Sequence, residues 1–218
     1  MDIYEKILYE IKMHKANLVL VTKTKGTDVI SEFYDKGHRD FGENKVQELV
    51  LKYEEMPKDI RWHFIGHLQK NKVKYITPFI SLIHSVDSFE LLKTINESAL
   101  KYERIIDVLL EMKIAAEETK YGLSGEDIRK ILENPQLKSF KNVRICGMMG
   151  MATYTDSIEI IAREFEYLKT FFDQVKNNYF REEASFSELS MGMSGDYKIA
   201  LGQGSTMVRI GSLILGER

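Results

Sequence analysis

Leu18-Val19-Leu20-Val21 is an unbroken apolar run that leads into Thr22-Lys23-Thr24-Lys25-Gly26, the pattern of a buried strand carrying a charged residue at its C-terminal end. Ahead of it, Ile3, Ile7, Leu8 and Ile11 recur at helical spacing among charged residues and predict an amphipathic helix over 2–14. The same alternation continues along the chain. Strands are expected near 18–22, 38–41, 61–66, 79–87, 104–112, 143–149, 186–190 and 207–210. Helices are expected near 27–36, 46–53, 69–75, 88–101, 124–133, 156–177 and 194–201. Ser124 with Asp127 three residues later is an N-cap pattern. Pro57, Pro78 and Pro135, the 3 prolines, all fall between these elements, where they interrupt neither a helix nor a ladder.

Strand and helix in strict alternation predict an α/β fold, a closed (β/α)8 TIM barrel formed as one domain over 1–218. Too little chain follows the last strand for a full eighth helix, so the N-terminal helix is expected to cover that gap. An open doubly wound sheet is the alternative, but no Gly-x-Gly-x-x-Gly turn follows strand one.

Composition narrows the function. Charged residues make up 29% and apolar residues 44%, and the net charge of -2 gives no global attraction to nucleic acid. No apolar run is long enough to span a bilayer, and the N-terminus lacks the features of a leader. Cys146 is the single cysteine, which excludes an internal disulfide and fits a cytoplasmic location.

In a barrel, chemistry collects at the C-terminal ends of the strands. The unusual residues fall there: Lys23, Gly42-Glu43-Asn44, His63 with Gly66-His67, His84-Ser85, Glu118-Thr119-Lys120-Tyr121-Gly122, Gly147 to Ala152, Ser190 to Ser194, and Arg209 to Ser212. Alternation along strand one puts Val19, Val21 and Lys23 on one face, so with the leucines toward the helices Lys23 points into the mouth. Lys25 shares that parity but lies past the strand's end. Arg209 projects inward by the same count and could donate to a ring nitrogen. Ser190, Ser194 and Gly211-Ser212 supply phosphate-binding chemistry after strands seven and eight. Gly202 to Thr206 also looks like an anion cradle, but it enters strand eight and is expected at the opposite face as a helix cap and turn. His63 and His67 lack a third metal ligand. Lys70 to Lys74 reads as a solvated helix face.

These positions carry a resemblance. Lys23-Thr24-Lys25, Phe41-Gly42-Glu43-Asn44, Trp62-His63-Phe64-Ile65-Gly66-His67-Leu68-Gln69, His84-Ser85-Val86-Asp87, Ser190-Met191-Gly192-Met193-Ser194 and Gly204-Ser205-Thr206-Met207-Val208-Arg209-Ile210-Gly211 resemble the motifs of the YggS/PROSC family of pyridoxal 5'-phosphate (PLP) homeostasis proteins. The barrel of that family is similar to the N-terminal barrel domain of alanine racemase. The resemblance implies a Schiff base of PLP on Lys23, Arg209 facing the pyridine nitrogen, and phosphate against Ser190 or Ser194 and Gly211-Ser212. Asn44 and His63 complete the expected cofactor-binding set. The sequence departs from the family at Thr22, Gly26, Lys45 and Met112-Lys113.

The resemblance implies a protein that holds, buffers and delivers PLP, with apo PLP-dependent enzymes as recipients, as a monomer or weak dimer away from nucleic acid and membranes. The alternative is a PLP-dependent amino-acid racemase, which needs an opposite-face acid/base that alanine racemase takes from a second domain not expected in this chain. A phosphate-binding barrel without the cofactor is the third reading.

Overall fold

In a computed structural model that describes residues 2–116 and 121–216, parallel strands β1 (Asn17–Val21), β2 (Asp40–Glu43), β3 (Arg61–Phe64), β4 (Leu82–Val86), β5 (Ile106–Met112), β6 (Val143–Gly150), β7 (Glu188–Ser190) and β8 (Met207–Ile210) pair in sequence order. β8 returns to β1, pairing Asn17 with Met207 and Leu20 with Ile210, and the barrel closes. Closure removes every sheet edge.

Helices fill the spaces between strands: α1 (Ile3–Met13), α2 (Thr27–Asp35), α3 (Val46–Glu55), α4 (Val73–Ile76), α5 (Phe89–Leu100), α6 (Gly125–Glu133), α7 (Ile158–Tyr179), α8 (Tyr197–Gly202) and α9 (Ser212–Leu215). The expected cap before α6 is present, with Asp127 N–H donating to Ser124 Oγ at 3.1 Å. Among the described residues no helix is long and apolar enough to cross a membrane.

Side chains alternate between two cores, as a parallel barrel requires. Leu18, Leu20, Phe41, Trp62, Phe64 and Val208 pack outward against the helices. Val19, Leu82, Leu109, Cys146, Met149 and Met207 fill the barrel. The leucines of β1 thus face the helices and Val19 faces inward, as the sequence parity predicts. One bulge re-aims β6: Val108 pairs with Ile145 but Leu109 with Gly147, which leaves Cys146 as the extra residue. A Cβ on Gly147 would collide with the Glu188 carbonyl oxygen, so only glycine permits this approach of β6 to β7.

α1 occupies the gap that the four-residue α9 leaves. Tyr4 packs edge-on against Phe33 of α2 at 5.0 Å, and Glu10 accepts from Tyr197 Oη of α8 at 2.7 Å. The segment after α8 is structural, as its sequence position implies. Gly204 takes the left-handed φ of +86° that ends the helix, and buried Ser205 Oγ lies 2.8 Å from the Met191 carbonyl.

Candidate functional site

A cavity of about 550 Å³ opens at the C-terminal mouth, and Lys23, Asn44, Ser194, Arg209, Gly211 and Ser212 stand on its wall. Lys23 is held there by a turn. Lys25 N–H donates to the Thr22 carbonyl at 3.0 Å, and Thr24 takes φ +66°, a left-handed conformation costly for a β-branched residue. Glu48 Oε2 accepts from Thr24 N–H at 3.1 Å and pins the strained peptide.

Behind the turn, a buried group holds the end of β1 to α3. Lys52 Nζ donates to Glu43 Oε1 at 2.6 Å and to the Thr22 carbonyl at 2.8 Å, while Thr22 Oγ1 donates to the same carboxylate oxygen at 2.6 Å. Burial pushes the Glu43 carboxyl upward, and the Lys52 charge opposes it. Lys23 therefore projects from a backbone fixed on both sides. Lys25 also reaches the cavity wall.

Arg209 lies on the floor. Its guanidinium donates to the Ser190 carbonyl at 2.9 Å, Ser190 Oγ at 2.6 Å and the Gly150 carbonyl at 3.2 Å, leaving donor capacity toward the cavity. Burial lowers its pKa to about 10, so it remains a cation at neutral pH. Ser194 Oγ accepts from Gly211 N–H at 3.3 Å and Leu213 N–H at 3.4 Å, which joins the exits of β7 and β8. A Cβ on Gly211 would stand 2.8 Å from the Val21 carbonyl oxygen, so the wall at this point is bare backbone. The buried Asn44 Oδ1 has no hydrogen-bond partner among the described residues.

Two expected wall residues lie elsewhere. His63 does face into the barrel, but the ladder pairs it with Gly42 and Leu82, a layer below Asn44, and its ring opens on a separate cavity at the N-terminal mouth with Asp40 and Arg61. Ser190 pairs with Met207, two residues before Arg209, and is fully buried beneath that guanidinium. Their place at the ends of strands three and seven marked them as candidates but did not set their depth in the barrel.

The reading from sequence also omits residues that the structure brings to the site. Ile65 and Tyr154 line the cavity beside Met151 and Met193 of the expected strand ends, and inward-facing Glu111 lies close enough for the Arg209 charge to act on it. Strand parity from Leu109 could have found Glu111. Of the segment after β5, Glu118, Thr119 and Lys120 lie outside the described residues. Tyr121 stacks on His67 with ring centres 4.2 Å apart, and His67 Nδ1 lies 3.2 Å from Asp87 Oδ2.

Comparison with known proteins places the chain in a family. The profile of the family "Alanine racemase, N-terminal domain" matches residues 6–218. A protein of Aquifex aeolicus named pyridoxal phosphate homeostasis protein is 39% identical over 204 residues, which cover 93% of this chain and 87% of that one. The structure of PipY from Synechococcus elongatus with PLP bound superposes with a TM-score of 0.86 at 30% identity, covering 99% of this chain and all of that one. Alanine racemase from Clostridium difficile shares the fold, with a TM-score of 0.72 at 17% identity; this chain spans 55% of its length. The chain belongs to the alanine racemase N-terminal domain family and, within it, to the pyridoxal phosphate homeostasis proteins.

Proposed function

We propose that this protein binds PLP in the C-terminal mouth through Lys23 and serves to hold, buffer and deliver it. The observation that carries this reading is a lysine on a pinned turn that shares a 550 Å³ cavity with a buried arginine. The wall suits the cofactor: the unpartnered Asn44 Oδ1 can accept from a polar ring substituent, and the bare backbone at Gly211 admits a group that a side chain would exclude. When bound, PLP supplies an aldehyde that condenses with an amine and a ring that withdraws electrons. Lys23 would hold the aldehyde carbon, Arg209 would donate to the ring nitrogen, and Ser194 with Gly211-Ser212 would face the phosphate.

A holding role is supported by the arginine. With a pKa of about 10, Arg209 keeps its proton, so a ring nitrogen facing it stays unprotonated and stabilises a carbanion poorly. That choice of partner favours holding the cofactor over rapid turnover. The relatives are named for homeostasis, and the PipY structure contains PLP. The reading includes a cytoplasmic location, consistent with a buried free thiol at Cys146, and apo PLP enzymes as recipients.

The test begins with absorbance. Addition of PLP should produce a yellow chromophore, and borohydride should fix a pyridoxyl group on the peptide bearing Lys23. Lys23→Ala should abolish the label. A label confined to Lys25, or no chromophore, would refute the assignment. Transfer of PLP to an apo PLP enzyme is the expected second outcome, and alanine racemisation at ordinary enzyme rates would overturn the holding role in favour of a racemase.

A further inference from the structure

A file of polar side chains crosses the barrel interior beneath the cavity. Arg209 Nη1 lies 2.6 Å from Ser190 Oγ, Ser190 Oγ 3.0 Å from His84 Nδ1, His84 Nε2 3.0 Å from His63 Nδ1, and His63 Nε2 3.1 Å from Asp40 Oδ1. Arg209, Ser190, His84 and His63 are all buried, so water does not compete along the file. Asp40 sits at the N-terminal mouth, where Arg61 donates to it at 2.7 and 2.5 Å. The file therefore joins the proposed cofactor pocket to the far end of the barrel.

We propose that these side chains form one directed hydrogen-bond chain, Arg209 to Ser190 to His84 to His63 to Asp40, in which both histidines are neutral Nε2–H tautomers and Asp40 is a remote positioning residue for Arg209. The ends set the direction. A guanidinium can only donate, and an ionised carboxylate can only accept. Arg209 donates to Ser190 Oγ, so the Ser190 hydroxyl hydrogen is free to go to His84 Nδ1. His84 then carries its hydrogen on Nε2 and donates to His63 Nδ1, and His63 carries its own on Nε2 and donates to Asp40. Each of the four contacts in the file then has one donor and one acceptor.

The opposite order fails on the same count. With its hydrogen on Nδ1, His84 would donate to Ser190 Oγ alongside Arg209, and the serine hydroxyl would lose the histidine as acceptor. His84 Nε2 would then need a hydrogen from His63 Nδ1, which demands either a cationic His63 or a His63 with no hydrogen facing Asp40. Electrostatics support the first order. Burial, with the Arg209 charge adding to it, holds His84 well below the ordinary histidine value and keeps it neutral. Burial raises the Asp40 carboxyl, but the hydrogen bonds from His63 and Arg61 outweigh this and hold it below the usual carboxylate range, so the accepting end stays charged.

The consequence for the pocket rests on the PLP reading above, but the chain itself does not. Nitrogen-15 spectra of the imidazoles, recorded on the whole protein without PLP near pH 7.5, should report neutral Nε2–H tautomers at His63 and His84. A cationic His63 or a His84 protonated on Nδ1 would overturn the direction. In Asp40→Ala the His63 signal should move, and PLP should bind about fivefold more weakly with an altered absorbance, the scale of one lost hydrogen bond. Arg61→Ala removes one of the two partners that hold Asp40 charged but keeps the His63 contact, so it should shift the His63 signal less than Asp40→Ala does and leave the chromophore unchanged. Equal effects of both substitutions, or none from Asp40→Ala, would reduce Asp40 to a structural role. If the unaltered protein forms no chromophore, the PLP reading falls while the tautomer spectra still decide the chain.

Discussion

Glu111 is a carboxyl group in the one place a barrel can least solvate it. It is 3% exposed and faces inward from β5, and burial, with some help from the Asp87 charge and against that of Arg209, raises its pKa to about 7. Its ordinary value is 4.5. The folded protein therefore binds a proton at this position between those values that the unfolded chain has already lost. The stability that Glu111 contributes is present below about pH 4.5 and disappears as pH rises through 7, an effect of about 3 kcal/mol. Glu111→Gln removes the titration. Urea unfolding at pH 5 and pH 8 should show a smaller loss of stability across that range in the variant, and a variant more stable than the parent at pH 8. An unchanged pH profile would mean that the carboxyl is solvated or already ionised.

At the scale of elements, the union of β1, β2 and α3 decides whether Lys23 is held. Glu43, Lys52 and Thr22 form a buried ionic group on the outer side of β1, while the turn carrying Lys23 lies on the other. Lys52→Met should cost about 3–5 kcal/mol, because it strands the Glu43 charge. Part of that loss should be recovered at lower pH, where the already raised carboxyl takes up a proton. The double substitution Glu43→Leu, Lys52→Met should restore most of the stability but not the bond from Lys52 to the Thr22 carbonyl. PLP should then dissociate faster from a protein that unfolds at nearly the same urea concentration. Stopped-flow release of the chromophore separates the two effects: equal release rates would show that strain at Thr24 and the Glu48 bond suffice to fix the turn. This ionic group also explains where sequence reading misplaced a strand. Gly42 and Glu43 look like a turn, yet β2 runs Asp40–Glu43, two residues beyond the expected 38–41. Gly42 is tolerated because a Cβ there would stand 2.9 Å from Val19 Cγ1, and Glu43 because Lys52 neutralises it. Both reasons are tertiary, and neither is visible in local propensity.

For the molecule as a whole, the order of elements was legible because apolar runs and amphipathic stretches alternate throughout, and parity correctly aimed Val19, Lys23 and Arg209 inward. Depth was not legible, since the layer a side chain occupies depends on the stagger that closure imposes. His63 and Ser190 were therefore assigned to the wall and lie beneath it. Closure itself gives the last prediction. The β8–β1 seam is the one junction formed by the two ends of the barrel, and α1 covers it from before β1 rather than from after β8. Ile11 of α1 is fully buried. Ile11→Ala leaves a cavity against the seam and should cost about 2–5 kcal/mol. If α1 is part of the barrel's cooperative unit, urea unfolding should move to lower concentration with its slope unchanged, and hydrogen exchange should rise in β1 and β8 together with α1. If the helix only rests on the barrel, α1 should lose protection alone and the strands should keep theirs. The first outcome makes the N-terminal helix a structural replacement for a full eighth helix; the second makes it a cover that the closed sheet does not need.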